Sequence, residues 1–160
     1  MRKALAISAA VGVAILIVPS VSVASSASTS TYRLSASMNT RQVVTPRNRL
    51  WRVPASVRNA HGGFAATMTT SGRRGVLRWR ISYSGLGSSP LQIADIHYGK
   101  PGRFGAILVR LCGPCKSGQS GTKKLSPWAV HSIKSGSAWI TIITGRYPNG
   151  VIRGQIRAAE

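Results

Sequence analysis

Acidic side chains are almost absent. The 160 residues include 22 Lys and Arg but only two carboxylates, Asp95 and Glu160, for a formal net charge of +20 at pH 7. Glu160 is the final residue, so Asp95 is the one carboxylate within the body of the chain. General acid/base catalysis by paired carboxylates needs two of them side by side, which excludes glycosidase-type chemistry. A Ser-His-Asp arrangement would have to use Asp95 with one of His61, His97 or His131, and no Gly-x-Ser-x-Gly elbow supports one. Cysteine is as scarce, with Cys112 and Cys115 alone. Past the first two dozen residues no run is apolar enough to span a bilayer, and no repeat of fixed period appears.

The N-terminus sets the expected compartment. Met1-Arg2-Lys3 is a short basic segment, Ala4 to Val18 is uncharged and apolar, and Pro19 breaks the run. Ser22-Val23-Ala24 offers the small residues that a signal peptidase reads. At about 15 residues the apolar run is shorter than the roughly 20 that cross a membrane as a helix. Residues 1–24 are therefore predicted to be a signal peptide cleaved near Ala24, and the mature protein to be secreted with no transmembrane segment. Residues 25–33, rich in Ser and Thr, read as a flexible lead-in. Residues 34–158 form the predicted domain, large enough for one hydrophobic core.

Period-two alternation dominates that domain. In Val76 to Ser84 the apolar Leu77, Trp79, Ile81 and Tyr83 alternate with Arg78, Arg80, Ser82 and Ser84, a strand with one dry and one wet face. Gly63 to Thr70 reads as its antiparallel partner, joined through Ser71-Gly72-Arg73-Arg74-Gly75. Further strands are predicted at 91–97, 106–111, 138–144 and 151–157, with a turn at Tyr147-Pro148-Asn149-Gly150. Residues 44–60 read as irregular. One short helix is expected after Ser126, a good N-cap, with Pro127 in its first turn and Gly136 as the stop. The predicted fold is all-β: an antiparallel Greek-key-like β-sandwich with one short helix, preceded by a signal peptide.

Cys112-Gly113-Pro114-Cys115 has the spacing of a thioredoxin-like redox site. That chemistry needs the second cysteine inside a helix, whose N-terminus lowers the thiol pKa. Lys116 to Thr122 is instead Gly- and Ser-rich, and no βαβ pattern surrounds it. In an oxidising compartment a Cys112–Cys115 disulfide tightening a loop is favoured. A thiol-disulfide oxidoreductase and a zinc site completed by His97 or His131 stand as alternatives.

Several stretches resemble the CHRD (chordin-type) domain family. "ADIHYGKPG" at 94–102 is similar to its Ala-His-Ile-His stretch followed by Gly and Pro. "AWITIITGRYPNGVIRGQI" at 138–156 is similar to its closing tract, which ends in Glu-Ile-Arg-Gly-Gln. "ISYSGL" at 81–86, "VRNAHGGFAATMTTSG" at 57–72, "LCGPCKSGQSGT" at 111–122 and "LSPWAVHSIKSG" at 125–136 extend the likeness over about 34–157. The resemblance implies an antiparallel Greek-key-like sandwich with no catalytic activity. Its members include chordin, an extracellular antagonist of growth factors, and exported bacterial proteins that consist of the domain alone. Asp95 stands where the family has its first His, Ile143 where it has a later one, and Val151 where it has Glu. The family's polar cluster is thereby reduced to Asp95, His97, Arg153 and Gln155, with position 151 expected to face outward beside Arg153. No metal is carried over, and His97 and Arg153 are expected to hydrogen-bond across neighbouring strands.

The expected protein is a monomeric, secreted, non-enzymatic binding module without a cofactor, its partner an extracellular protein, a glycan or a cell-envelope component. The alternative is a cationic binder of a polyanion, either a cell-wall polymer or nucleic acid. Arg73, Arg74, Arg78, Arg80 and Arg103 are the candidate contacts, with Trp79 turned to the core. Ionic groups are expected to decorate only the outside.

Overall fold

The computed structural model describes residues 28–88 and 92–160; the expected signal peptide and its cleavage site lie outside the described residues. Among the described residues nine strands and one α-helix follow in chain order: β1 Thr29–Asn39, β2 His61–Ser71, β3 Arg74–Ser84, β4 Gln92–Tyr98, β5 Ile107–Cys112, β6 Ser120–Leu125, α1 Pro127–Lys134, β7 Ala138–Thr144, β8 Tyr147–Gln155 and β9 Arg157–Ala159. The hydrogen-bonded order is β5-β4-β7-β8-β1-β2-β3-β6, with β9 also on β1. Every pairing is antiparallel. The end strands β5 and β6 approach each other, so the sheet nearly closes on itself. Around that closure the order β6-β5-β4-β7 returns the fourth strand beside the first, a Greek key.

The alternation of β3 does what its pattern requires. Leu77, Trp79 and Ile81 are buried while Arg74, Arg78 and Arg80 are exposed. Phe64 and Met68 of β2 join them inside, as do Tyr32, Leu34, Ala36 and Met38 of β1. From the other side come Ala94, Ile96, Ile140, Ile142, Ile152 and Ile156. Trp79 fits because its cross-strand partner is Gly121, where a Cβ would meet the indole at 2.7 Å. The turn between β2 and β3 is the two-residue Gly72-Arg73, with Gly72 at φ 58°. Glycine in the first position with positive φ matches the twist of the flanking strands.

The helix forms where its signals place it. Ser126 Oγ accepts the Ala129 amide at 3.2 Å, Pro127 opens the first turn, and Gly136 follows at φ 69°. Ala129, Val130 and Ile133 are buried and Trp128 is half exposed. Among the described residues no helix is long and apolar enough to cross a membrane.

Three expectations are corrected. Thr29 to Arg33, inside the expected lead-in, are the first half of β1 and pair with Thr67 to Ser71. Their own alternation continues that of β1, and β2 supplies the partner that a bare Ser/Thr run lacks. The turn before β8 is Gly145-Arg146, not Tyr147 to Gly150. Those residues belong to β8, where the register shifts between Ile142 and Thr144 and the extra residues are absorbed as a bulge. Strand β6 was not foreseen, because Gly and Lys carry no β propensity; it forms by pairing with the exposed edge of β3.

Replacing Gly121 by Ala should cost about 1–3 kcal/mol by forcing Trp79 off its rotamer. Ser120→Ala, one residue along, should stay within about 0.5 kcal/mol. Urea denaturation of both variants checks this.

Candidate functional site

Cross-strand register gathers the motif residues. On the outer face of β4, β7 and β8, Asp95 opposes Thr141, which opposes Arg153. In the next row His97 opposes Trp139, which opposes Gln155. Arg110 of β5 completes the first row opposite Asp95. These side chains share one face, as spacings of two along each strand demand.

That face is not wet. Asp95 is 0%, His97 5% and Arg153 2% exposed. The segment between Tyr98 and Gly105 folds back over it, and the sheet side chains seize its carbonyls one after another. Trp139 Nε1 donates to Tyr98 O at 3.0 Å, and Gln155 Nε2 donates to Gly99 O at 3.0 Å. Arg153 Nη2 donates to Arg103 O at 2.8 Å and to Lys100 O at 3.3 Å. The His97 ring binds Gly105 O at 2.9 Å through Nδ1, which must donate because a carbonyl can only accept. Phe104 N reaches Asn48 Oδ1 at 2.7 Å, tying the loop to the 44–50 turn. At Gly105 a Cβ would stand 2.1 Å from Tyr98 O, so the loop can close only on glycine there.

Arg153 is a buried cation without a carboxylate. Its guanidinium lies 3.8 Å over the Trp139 ring, on which His97 also stacks at 4.3 Å and 12°. Burial pulls the Arg153 pKa down to about 10, so it stays charged at neutral pH. Its desolvation costs several kcal/mol. The cation–π contact, about 2 kcal/mol when desolvated, and charge-assisted carbonyl bonds of roughly 1.5–3 kcal/mol each are of the same size. The Arg153 Nη1, His97 Nε2 and Gln155 Oε1 atoms have no protein partner. Burial also lowers the His97 pKa, against the Gly105 hydrogen bond and Asp95, which raise it.

Asp95 is engaged by Arg110, Nε to Oδ1 at 2.9 Å and Nη2 to Oδ2 at 3.1 Å. Its two oxygens are taken by this fork, and Arg110 itself remains more than half exposed. Cys112 and Cys115 are bonded to each other, so they offer no thiolate to a metal and no free nucleophile. Among the described residues no three His, Cys, Asp or Glu side chains come together.

Two readings change. Arg153 and His97 bond to the carbonyls of an overlying loop rather than across strands, and position 151 is buried with them. Ionic groups therefore do more than decorate the outside. The alternation correctly put these residues on the outer face; it could not show that the loop covers it.

The arginine candidates divide. Arg78 and Arg80 stand on the outer face of β1, β2, β3 and β6 in two adjacent rows: Arg33-Thr67-Arg78-Thr122 and Ser35-Ala65-Arg80-Ser120. Arg157 extends the second row opposite Ser35. A third row, Thr31-Thr69-Val76-Lys124, and Arg74 beyond it complete the face. A shallow depression lined by Arg33, Thr67, Arg78, Arg80, Ser120 and Thr122 marks its centre. Arg73 occupies the adjoining turn. Arg103 is on the 98–105 loop instead and does not join them. Arg33, Lys124 and Arg157 were missed, although Tyr32-Arg33-Leu34 alternates as clearly as β3.

Arg153→Met keeps the stem over Trp139 but strands the Arg103 carbonyl and leaves that of Lys100 with the Arg103 amide alone. The Arg103 and Phe104 amides should then exchange about tenfold faster, the factor set by roughly 1.4 kcal/mol, while those of Ile140 and Ile152 keep their protection. Because the folded state disfavours protonated His97, the unfolded chain binds more protons as pH falls below 6.5. Stability should drop on acidification from that point, with a shallower slope in His97→Gln, measured by urea midpoints from pH 7.5 to 5.

Compared with known proteins, residues 34–156 match the model of the CHRD domain. No curated protein and no solved structure gives a significant match.

Proposed function

Since the chain belongs to the CHRD domain family, we propose that it is an extracellular, non-catalytic binding module whose β1–β2–β3–β6 face takes up a polyanion. The observation that carries this is the face itself. Arg33, Arg74, Arg78, Arg80, Lys124 and Arg157 are all exposed there, set among Ser and Thr hydroxyls. The two carboxylates of the chain are elsewhere: Asp95 is buried under Arg110, and Glu160 is the last residue. Arginine offers bidentate donors to phosphate or sulfate, and hydroxyls add neutral donors between the charges.

The motif cluster supports a role without catalysis. Asp95 accepts the Arg110 fork, and Arg153 Nη2, Gln155 Nε2 and His97 Nδ1 donate to backbone carbonyls, so these groups are committed to holding the fold. A redox role through Cys112 and Cys115 finds little support: both sulfurs are bonded, and both residues are more than nine-tenths buried. The apolar run 4–18 with Ser22-Val23-Ala24 supports export, and the protein is expected to act as a monomer.

Binding to an immobilised anionic polymer should weaken steeply with salt. In Arg78→Ser/Arg80→Ser the slope of log K against log[salt] should fall by about 2. Arg47→Ser/Arg49→Ser removes the same charge from the exposed 44–50 turn and should change it little. Equal losses in both variants would mean that net charge alone, and not this face, does the binding.

A further inference from the structure

The cationic face does not end at the sheet. Beyond the β2–β3 turn a second groove is lined by Gly72, Arg73, Val130, His131, Lys134 and Ser135, between the turn and α1. Arg73, His131 and Lys134 are exposed in it. His131 and Lys134 are three apart on the helix and so share one side. Lys134 lies over the Tyr32 ring at 4.8 Å, and the Glu160 carboxylate is near enough to act on it. Arg74, the next residue after the turn, belongs to the sheet face. The two basic surfaces therefore meet at Arg73 and Arg74.

We infer that they form one track for a linear, base-free phosphodiester polymer, running along β3 past Arg80, Arg78 and Arg74, over Arg73 and onto His131 and Lys134. This rests on the polyanion reading above and names its ligand and path. Three features select that ligand. Arg78 and Arg80 are two residues apart, about 6.6 Å along a strand, comparable to the separation of successive phosphates in an extended phosphodiester chain. Arg74 to Arg80 covers about 20 Å at strand rise, too long for a single small anion to fill. No aromatic ring is exposed on the face, since Trp79 is buried and the other rows hold Arg, Lys, Ser, Thr, Ala and Val. Base stacking, which single-stranded nucleic acid uses for much of its affinity, has no platform there.

The test is calorimetric titration with glycerol-phosphate oligomers, a trimer and a decamer, and with an oligothymidylate of the decamer's charge. The decamer should bind about tenfold to a hundredfold more tightly than the trimer, because its far end reaches a tethered second subsite. Arg73→Ser/Lys134→Ser should erase that length gain and leave the trimer unchanged, whereas Arg78→Ser/Arg80→Ser should weaken both. If the turn-and-helix variant keeps the full length gain, the track stops at the sheet, and this inference fails while the face reading stands. If neither glycerol-phosphate oligomer binds, the inference fails whatever else the face holds. If no polyanion binds, the face reading fails with it. Tighter binding of the oligothymidylate would identify the ligand as nucleic acid and overturn the base-free assignment.

Discussion

With 22 cationic side chains and two carboxylates, this chain cannot neutralise its charges by pairing, and each cation has to find another solution. Most go to solvent, where repulsion is screened within about 10 Å at ordinary salt. One, Arg110, takes the interior carboxylate, which would otherwise be a bare buried charge on β4. Arg153 is the exception that needed construction: buried, with an indole on its face and peptide carbonyls at its donors. Carbonyl dipoles do here what acidic side chains do in a protein of balanced composition. Part of what holds the 98–105 loop to the sheet is thus a cation that has no acid to pair with.

Strand positions were legible where both faces of a strand could be read from the letters alone. Leu77, Trp79 and Ile81 against Arg78 and Arg80 left no ambiguity, and β7 was bounded at Ala138 and Thr144 as expected. The helix was equally clear, because Ser126, Pro127 and Gly136 each act on the local backbone. What failed was non-local. Strand β6 exists because β3 had an unpaired edge, and Thr29 to Arg33 are ordered because β2 is long enough to meet them. The Pro148-Asn149-Gly150 signal was real but produced a bulge, since Gly145-Arg146 had already made the turn.

The motif cluster shows the same division between local and non-local information. Period two placed Asp95 with His97, and Arg153 with Gln155, on one face, and that was right. On β3 the outward positions are solvated. On β4, β7 and β8 the loop between β4 and β5 turns back, with Gly99 and Gly105 at its base, and covers His97, Trp139 and Arg153. Nothing in the alternation distinguishes a face that a loop will cover. The apolar Trp139 among the outward positions was the available sign: a large hydrophobe on a supposedly wet face implies a cover.

The two halves of the sheet thus handle the same surplus of charge in opposite ways. Over β4, β7 and β8 a loop covers the sheet, Asp95 is paired with Arg110, and Arg153 lies on the Trp139 ring and bonds to loop carbonyls. Over β1, β2, β3 and β6 there is no cover, and Arg33, Arg78 and Arg80 are spaced by Thr and Ser instead of by acids. Asp or Glu at the exposed positions Thr67 or Thr122 would relieve the repulsion through cross-strand pairs, against a loss of β propensity of at most about 1 kcal/mol. The chain leaves that relief unused over four adjacent strands. Such a face is less stable alone than with its charges matched, and an anionic polymer laid along it, as proposed, would supply the matching charge from outside the protein.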